Sequence, residues 1–167
     1  MANLGGMFQK KSDRPRIRPE RTGLDKMLWF LAITFALSLL VYGLIEYPKL
    51  PPTIPSKNGT APSWTFLIMP TLGAGVIGMM LLFQRWPWMS NTIVTITEEN
   101  AEIQYRLVNR FLSIVSIEIG LIFLLTTWNI VNRTNGNPSI TPLIFVITTM
   151  SWVPVLGWYF WASFRHA

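Results

Sequence analysis

Residues 27–45 read MLWFLAITFALSLLVYGLI, nineteen consecutive positions without a charge. At about 1.5 Å of rise per helical residue, such a run approaches the roughly 30 Å of a bilayer hydrocarbon core. Once it is taken as a membrane span, the rest of the chain reads in the same terms. Residues 64–83, WTFLIMPTLGAGVIGMMLLF, are again uncharged; their proline and three glycines would weaken a helix in water but are tolerated in lipid. Residues 111–131 carry one charge, Glu118, and residues 140–163 carry none. The expectation is an all-α membrane protein, a bundle of four transmembrane helices at about 27–45, 64–83, 111–131 and 140–163, joined by loops of 18, 27 and 8 residues.

Composition agrees. Half of the 167 residues are apolar, 13% are charged, and there are eight tryptophans, a departure from soluble averages toward membrane proteins. The net charge of +6 would raise nucleic acid as a partner in a soluble domain, but seven of the fourteen cations lie in the first 26 residues. That placement excludes nucleic acid and points to topology. With both termini on one side, that side holds eleven Lys and Arg against three on the other, Lys49, Lys57 and Arg133. The positive-inside rule then puts both termini in the cytoplasm. Residues 1–26 are expected to be a basic, disordered cytoplasmic tail in reach of anionic lipid, and residues 27–167 the membrane domain. No small-residue cleavage pattern follows the first span, so it reads as a retained anchor. Tyr42, Tyr47, Trp64, Trp86, Trp88, Trp128, Trp158 and Trp161 fall where headgroups are expected.

Between the second and third spans the pattern changes twice. Residues 91–97, NTIVTIT, alternate polar and β-branched positions, an extended lead-in or a short strand. Residues 97–111, TEENAEIQYRLVNRF, then read as a helix with Thr97 as N-cap, Glu98 and Glu99 in the first turn and a Glu102 to Arg106 pair. With no breaker before Gly120, the third helix is expected to extend into the cytoplasm ahead of its span.

Chemistry is sparse. There is no cysteine, and the single histidine is His166, so thiolate metal sites and haem or chlorophyll held by internal histidines are excluded, while cofactor ligation through backbone, water or methionine stays open. Catalysis would need paired carboxylates, a nucleophile beside a base, or a metal-ligand set. The spans offer one carboxylate, so no catalytic or metal-binding residue is assigned and no enzyme is expected. Glu118 is the candidate intramembrane polar site, used for its charge or as a hydrogen-bonding link between helices. Ala74 and Gly78, with Pro70 and Gly75 beside them, form a small-residue face expected to pack inside the bundle, or alternatively against a second copy. Asn58 and Asn132 head glycosylation patterns, read as coincidence in a bacterial protein.

Residues 47–64, YPKLPPTIPSKNGTAPSW, join the first two spans with five prolines and without His, Cys, Asp or Glu. Such a connector cannot become helix. It resembles the Tyr-Pro-x-Leu-Pro-x-x-Ile-Pro signature of the bacterial membrane family called domain of unknown function 1648, matched here by Tyr47, Pro48, Leu50, Pro51, Ile54, Pro55 and Gly59, with Trp64 as the following aromatic. Residues 91–112 are similar to the family's second half, in which an extended piece precedes a Gln-Tyr-x-x-x-x-Arg helix. Where the family carries Thr-His-Phe and then an acid, this chain has Ser56, Lys57 and Asn58 and no acid. The resemblance implies kinship with membrane proteins that fuse this module to an immunity domain against a secreted sporulation toxin, a second domain for which this chain is expected to have no room. Two functions remain. One is an accessory or structural subunit of a larger membrane assembly, with other membrane proteins or a second copy as partners. The other is a stand-alone immunity or sensor protein that recognises an extracytoplasmic peptide or toxin through the proline loop. Either would sit in the bacterial cytoplasmic membrane.

Overall fold

The computed structural model describes residues 9–56, 59–138 and 142–167, with only the backbone of residues 142–145. Asn58 of the first glycosylation pattern and Ile140, where the fourth span was expected to begin, lie outside the described residues. The chain runs α1 (Gly23–Glu46), a hairpin of β1 (Thr53–Ser56) and β2 (Gly59–Pro62), α2 (Ile68–Phe83), α3 (Ala101–Thr134), α4 (Pro142–Met150) and α5 (Trp152–Arg165). Three stretches, Gly23–Lys49, Ser63–Phe83 and Ala101–Thr134, are long and apolar enough to cross a membrane.

The first helix begins before its apolar run because residues 22–25 close a capping box. Thr22 accepts the Asp25 N–H at 3.3 Å, and Asp25 accepts the Thr22 N–H at 2.9 Å. Thr97 makes the same reciprocal bonds with Asn100 (2.9 and 3.3 Å) and accepts the Ala101 N–H on its carbonyl. These bonds close a turn before α3 that holds Glu98 and Glu99. Glu102 lies in the first turn of the helix, and the N-cap is Asn100, not Thr97. From there α3 continues for 34 residues, about 50 Å, so it outruns a bilayer core by roughly 20 Å. The Glu102–Arg106 ion pair forms.

The last predicted span is not one helix. It is interrupted at Ser151, between the nine residues of α4 and the fourteen of α5. The physical reason is Pro154, which lacks an N–H and whose ring clashes with the carbonyl four residues earlier, that of Met150, the last residue of α4. Neither piece alone reaches the length of a crossing.

α1, α2 and α3 form a mutual three-helix core around Ala32, Leu39 and Ile77. Each helix supplies one glycine to the next. A Cβ on Gly43 of α1 would stand 2.8 Å from Pro70 of α2, one on Gly73 of α2 would stand 2.7 Å from Phe123 of α3, and one on Gly120 of α3 would stand 2.7 Å from Phe35 of α1. The three contacts close a ring, each placing a bulky side chain where only a hydrogen fits. The small-residue face expected to be internal is split: Pro70 is buried against Gly43 and Ala74 is half-buried, while a Cβ on Gly75 or Gly78 meets nothing within 4 Å. Gly73, next to Ala74, is the α2 glycine that makes the close contact with α3. Against this core, α5 packs on the first half of α3 through Tyr159 and Ala162, with the Tyr159 ring stacked on Phe111 at 4.7 Å.

Candidate functional site

At one end of the bundle the proline stretch forms an antiparallel hairpin, with Ile54 opposite Ala61 and Pro55 opposite Thr60. Gly59 takes φ +120°, a left-handed backbone that side chains rarely adopt. The signature residues divide into two sets. Ile54 is buried with Phe66 and Val131, and Tyr47 and Leu50 pack around them together with Tyr42 and Ile130. Pro48, Pro51, Pro55 and Gly59 are exposed, and Trp64 is 58% exposed. The hairpin is therefore held from inside by α1 and α3 and shows a rigid proline and tryptophan face outward. Pro55 and Pro62 each lack an N–H, so the outer edges of this two-stranded sheet lack donors there and resist pairing with another strand. Any partner would meet side chains rather than a free strand edge.

The opposite end, here called the basic end, is more elaborate than expected. Residues 9–22, read as part of a disordered tail, are tied to it. The Gln9 side-chain amide accepts from the Ile96 N–H (2.9 Å) and donates to the Ile96 carbonyl (2.8 Å), as a neighbouring strand would. This provides a partner for the alternating run, in which Thr92, Val94 and Ile96 face inward without forming a strand. Arg14 is buried and donates to the Ser90 carbonyl at 2.6 Å.

The Gln-Tyr-x-x-x-x-Arg pattern has a clear physical task here. Gln104 is 1% exposed and donates to the carbonyls of Ser163 (2.9 Å) and His166 (3.0 Å), holding the end of α5. Tyr105, on the next residue and fully buried, donates its hydroxyl proton to the Pro15 carbonyl at 2.9 Å, holding the tail. Arg110 forms an ion pair with the buried Asp25 at 2.7 Å, holding the start of α1. Ser113, one turn on, accepts from buried Gln84 at the end of α2 (2.9 Å). Residues placed around the first half of α3 thus fasten α5, the tail, α1 and the end of α2 at this end. The motif made Gln104, Tyr105 and Arg110 visible in the sequence, whereas Gln9, Arg14 and Gln84 carry no local signal because their partners are backbone carbonyls or a residue tens of positions away.

Glu118 lies midway along α3, half-buried, against Ser151 at the α4–α5 interruption. Ser151 spends its own proton on the Thr148 carbonyl at 2.6 Å, and Glu118 Oε2 has no partner among the described residues. The structure does not bring Glu118 near the hairpin residues; the two candidate regions are separate. Among the described residues no three His, Cys, Asp or Glu side chains gather as a metal-ligand set.

Compared with known protein families, with curated proteins and with solved structures, the chain matches none.

Proposed function

We propose that this chain is a non-enzymatic integral membrane protein serving as an accessory or structural subunit of a larger membrane assembly. In this reading α1, α2 and α3 each cross the bilayer of the bacterial cytoplasmic membrane, and α4 and α5 together make a fourth crossing. Both termini are cytoplasmic, on the strength of eleven cations against three, and the hairpin faces the outside. The observation that carries the proposal is the division of the proline stretch. Ile54, Tyr47 and Leu50 fasten it to the bundle, while Pro51, Pro55 and Trp64 stand outside it. A contact surface already rigid before a partner arrives loses little entropy on association.

The resemblance of the same stretch to the domain of unknown function 1648 signature favours a second reading, a stand-alone immunity or sensor protein whose hairpin recognises an extracytoplasmic peptide or toxin. Extraction in mild detergent followed by sizing separates the two. A stable particle much larger than the 19.1 kDa chain, from which other membrane proteins are identified, supports the subunit. A lone chain that acquires a secreted peptide supports the sensor. Replacing residues 50–60 by a Gly and Ser linker of equal length is expected to leave the protein in the membrane but release its partner; recovery of the intact particle from cells carrying that linker would overturn the role given to the hairpin.

A further inference from the structure

We infer that the cleft between α1 and α2 at the basic end binds one anionic phospholipid, its phosphate held by Arg21 and Arg85 and an acyl chain laid over Gly78. The cleft has a volume of about 400 Å³ and is lined by Arg21, Trp29, Ile33, Gly78, Leu81, Leu82 and Arg85, a size within the usual range for small-molecule sites. Its chemistry is split along its length. Two guanidiniums stand at the end where α2 finishes, and the rest of the wall is apolar helix surface. Neither arginine has a carboxylate partner among the described residues, in contrast to Arg106 and Arg110 on α3. Glu20 and Asp25 line a separate, tighter cleft on the other side of Arg21. Arg21 is positioned over the Trp29 ring at 5.1 Å, a cation–π contact that orients it beside the cleft, and a guanidinium offers the forked donors that suit a phosphate. Gly78 makes the floor: a Cβ there would point into open space, so the groove exists because that side chain is missing. A phosphate with apolar chains attached, presented at the end of a membrane-length helix, is the ligand whose charge and shape fit both halves.

The inference rests on the proposed membrane insertion. The experiment reconstitutes the full-length protein in nanodiscs of equal phosphatidylglycerol and phosphatidylcholine, followed by gentle release and native mass spectrometry. One phosphatidylglycerol per chain is expected to be retained in preference to phosphatidylcholine. Exchanging both Arg21→Gln and Arg85→Gln is expected to weaken that retention about thirty-fold, the combined worth of two basic side chains at an anionic surface. The Lys10→Gln, Lys11→Gln pair removes the same charge from the same end and is expected to leave retention unchanged. Gly78→Leu is expected to fill the groove and abolish retention without lowering the melting temperature. Inorganic phosphate at millimolar concentration is expected not to displace the lipid; displacement would show a simple anion site and overturn the lipid assignment. Equal loss in the two charge-removed variants, or equal retention of both lipids, would also overturn it. Failure of membrane insertion itself is read separately, by release of the protein into alkaline carbonate.

Discussion

At the scale of single residues, two substitutions test what holds the helices at their distances. Gly120→Ala places a methyl 2.7 Å from the Phe35 side chain, and overpacking of this kind costs about 1–3 kcal/mol. Gly78→Ala meets nothing and is expected to stay within about 0.5 kcal/mol of the parent. Unfolding titrations in mixed micelles measure both, and equal effects would mean the glycine ring is not what sets the helix spacing. Asp25→Asn keeps the acceptor for the Thr22 N–H but removes the charge facing Arg110, whose Nε lies 2.7 Å from the carboxylate. The expected loss is about 2 kcal/mol, the scale of a hydrogen bond between charged groups, with the double variant Asp25→Asn, Arg110→Gln less than additive. An additive double variant would show that the two side chains act independently.

At the scale of elements, α3 and the hairpin make opposite predictions about where damage appears. Gln104→Leu leaves the Ser163 and His166 carbonyls without their donor. Hydrogen exchange is expected to rise in the last turn of α5 and to stay unchanged in the hairpin; a uniform rise would mean that Gln104 supports the whole fold. In the hairpin, Ile54→Ala removes the side chain buried with Phe66 and Val131, at an expected cost of about 2–5 kcal/mol. Pro55→Ala at the exposed neighbouring position is expected to leave stability nearly unchanged and to act on partner recovery. Element existence was largely legible in sequence, because uncharged runs and the helix-start signal near Thr97 are local. The hairpin was not, since two short strands containing prolines show no alternation of their own and pair only because Ile54 has a pocket to enter. The interruption at Ser151 had a visible cause in Pro154, but lipid tolerates proline in helices often enough that the sequence alone left residues 140–163 as one span.

At the scale of the whole molecule, the arrangement of charge predicts orientation. A cysteine at Thr60, exposed in β2, is expected to react with an impermeant thiol reagent from outside intact cells, and one at exposed Ser12 is not. The reverse labelling would invert the proposed topology. What the sequence by itself determined was where the long apolar runs lie, three of which fold as helices long and apolar enough for a bilayer, because apolar transfer depends on composition and length and not on neighbours. It also carried the small motif whose partners lie within a turn, Glu102 with Arg106. Only the tertiary structure decided which glycine of α2 faces inward, that Gln104, Tyr105 and Arg110 each fasten a different element, and that Gln9 and Arg14 draw the tail onto the bundle. Those outcomes depend on close approach and on hydrogen bonds between residues up to ninety positions apart, whose energies exist only once the helices have met.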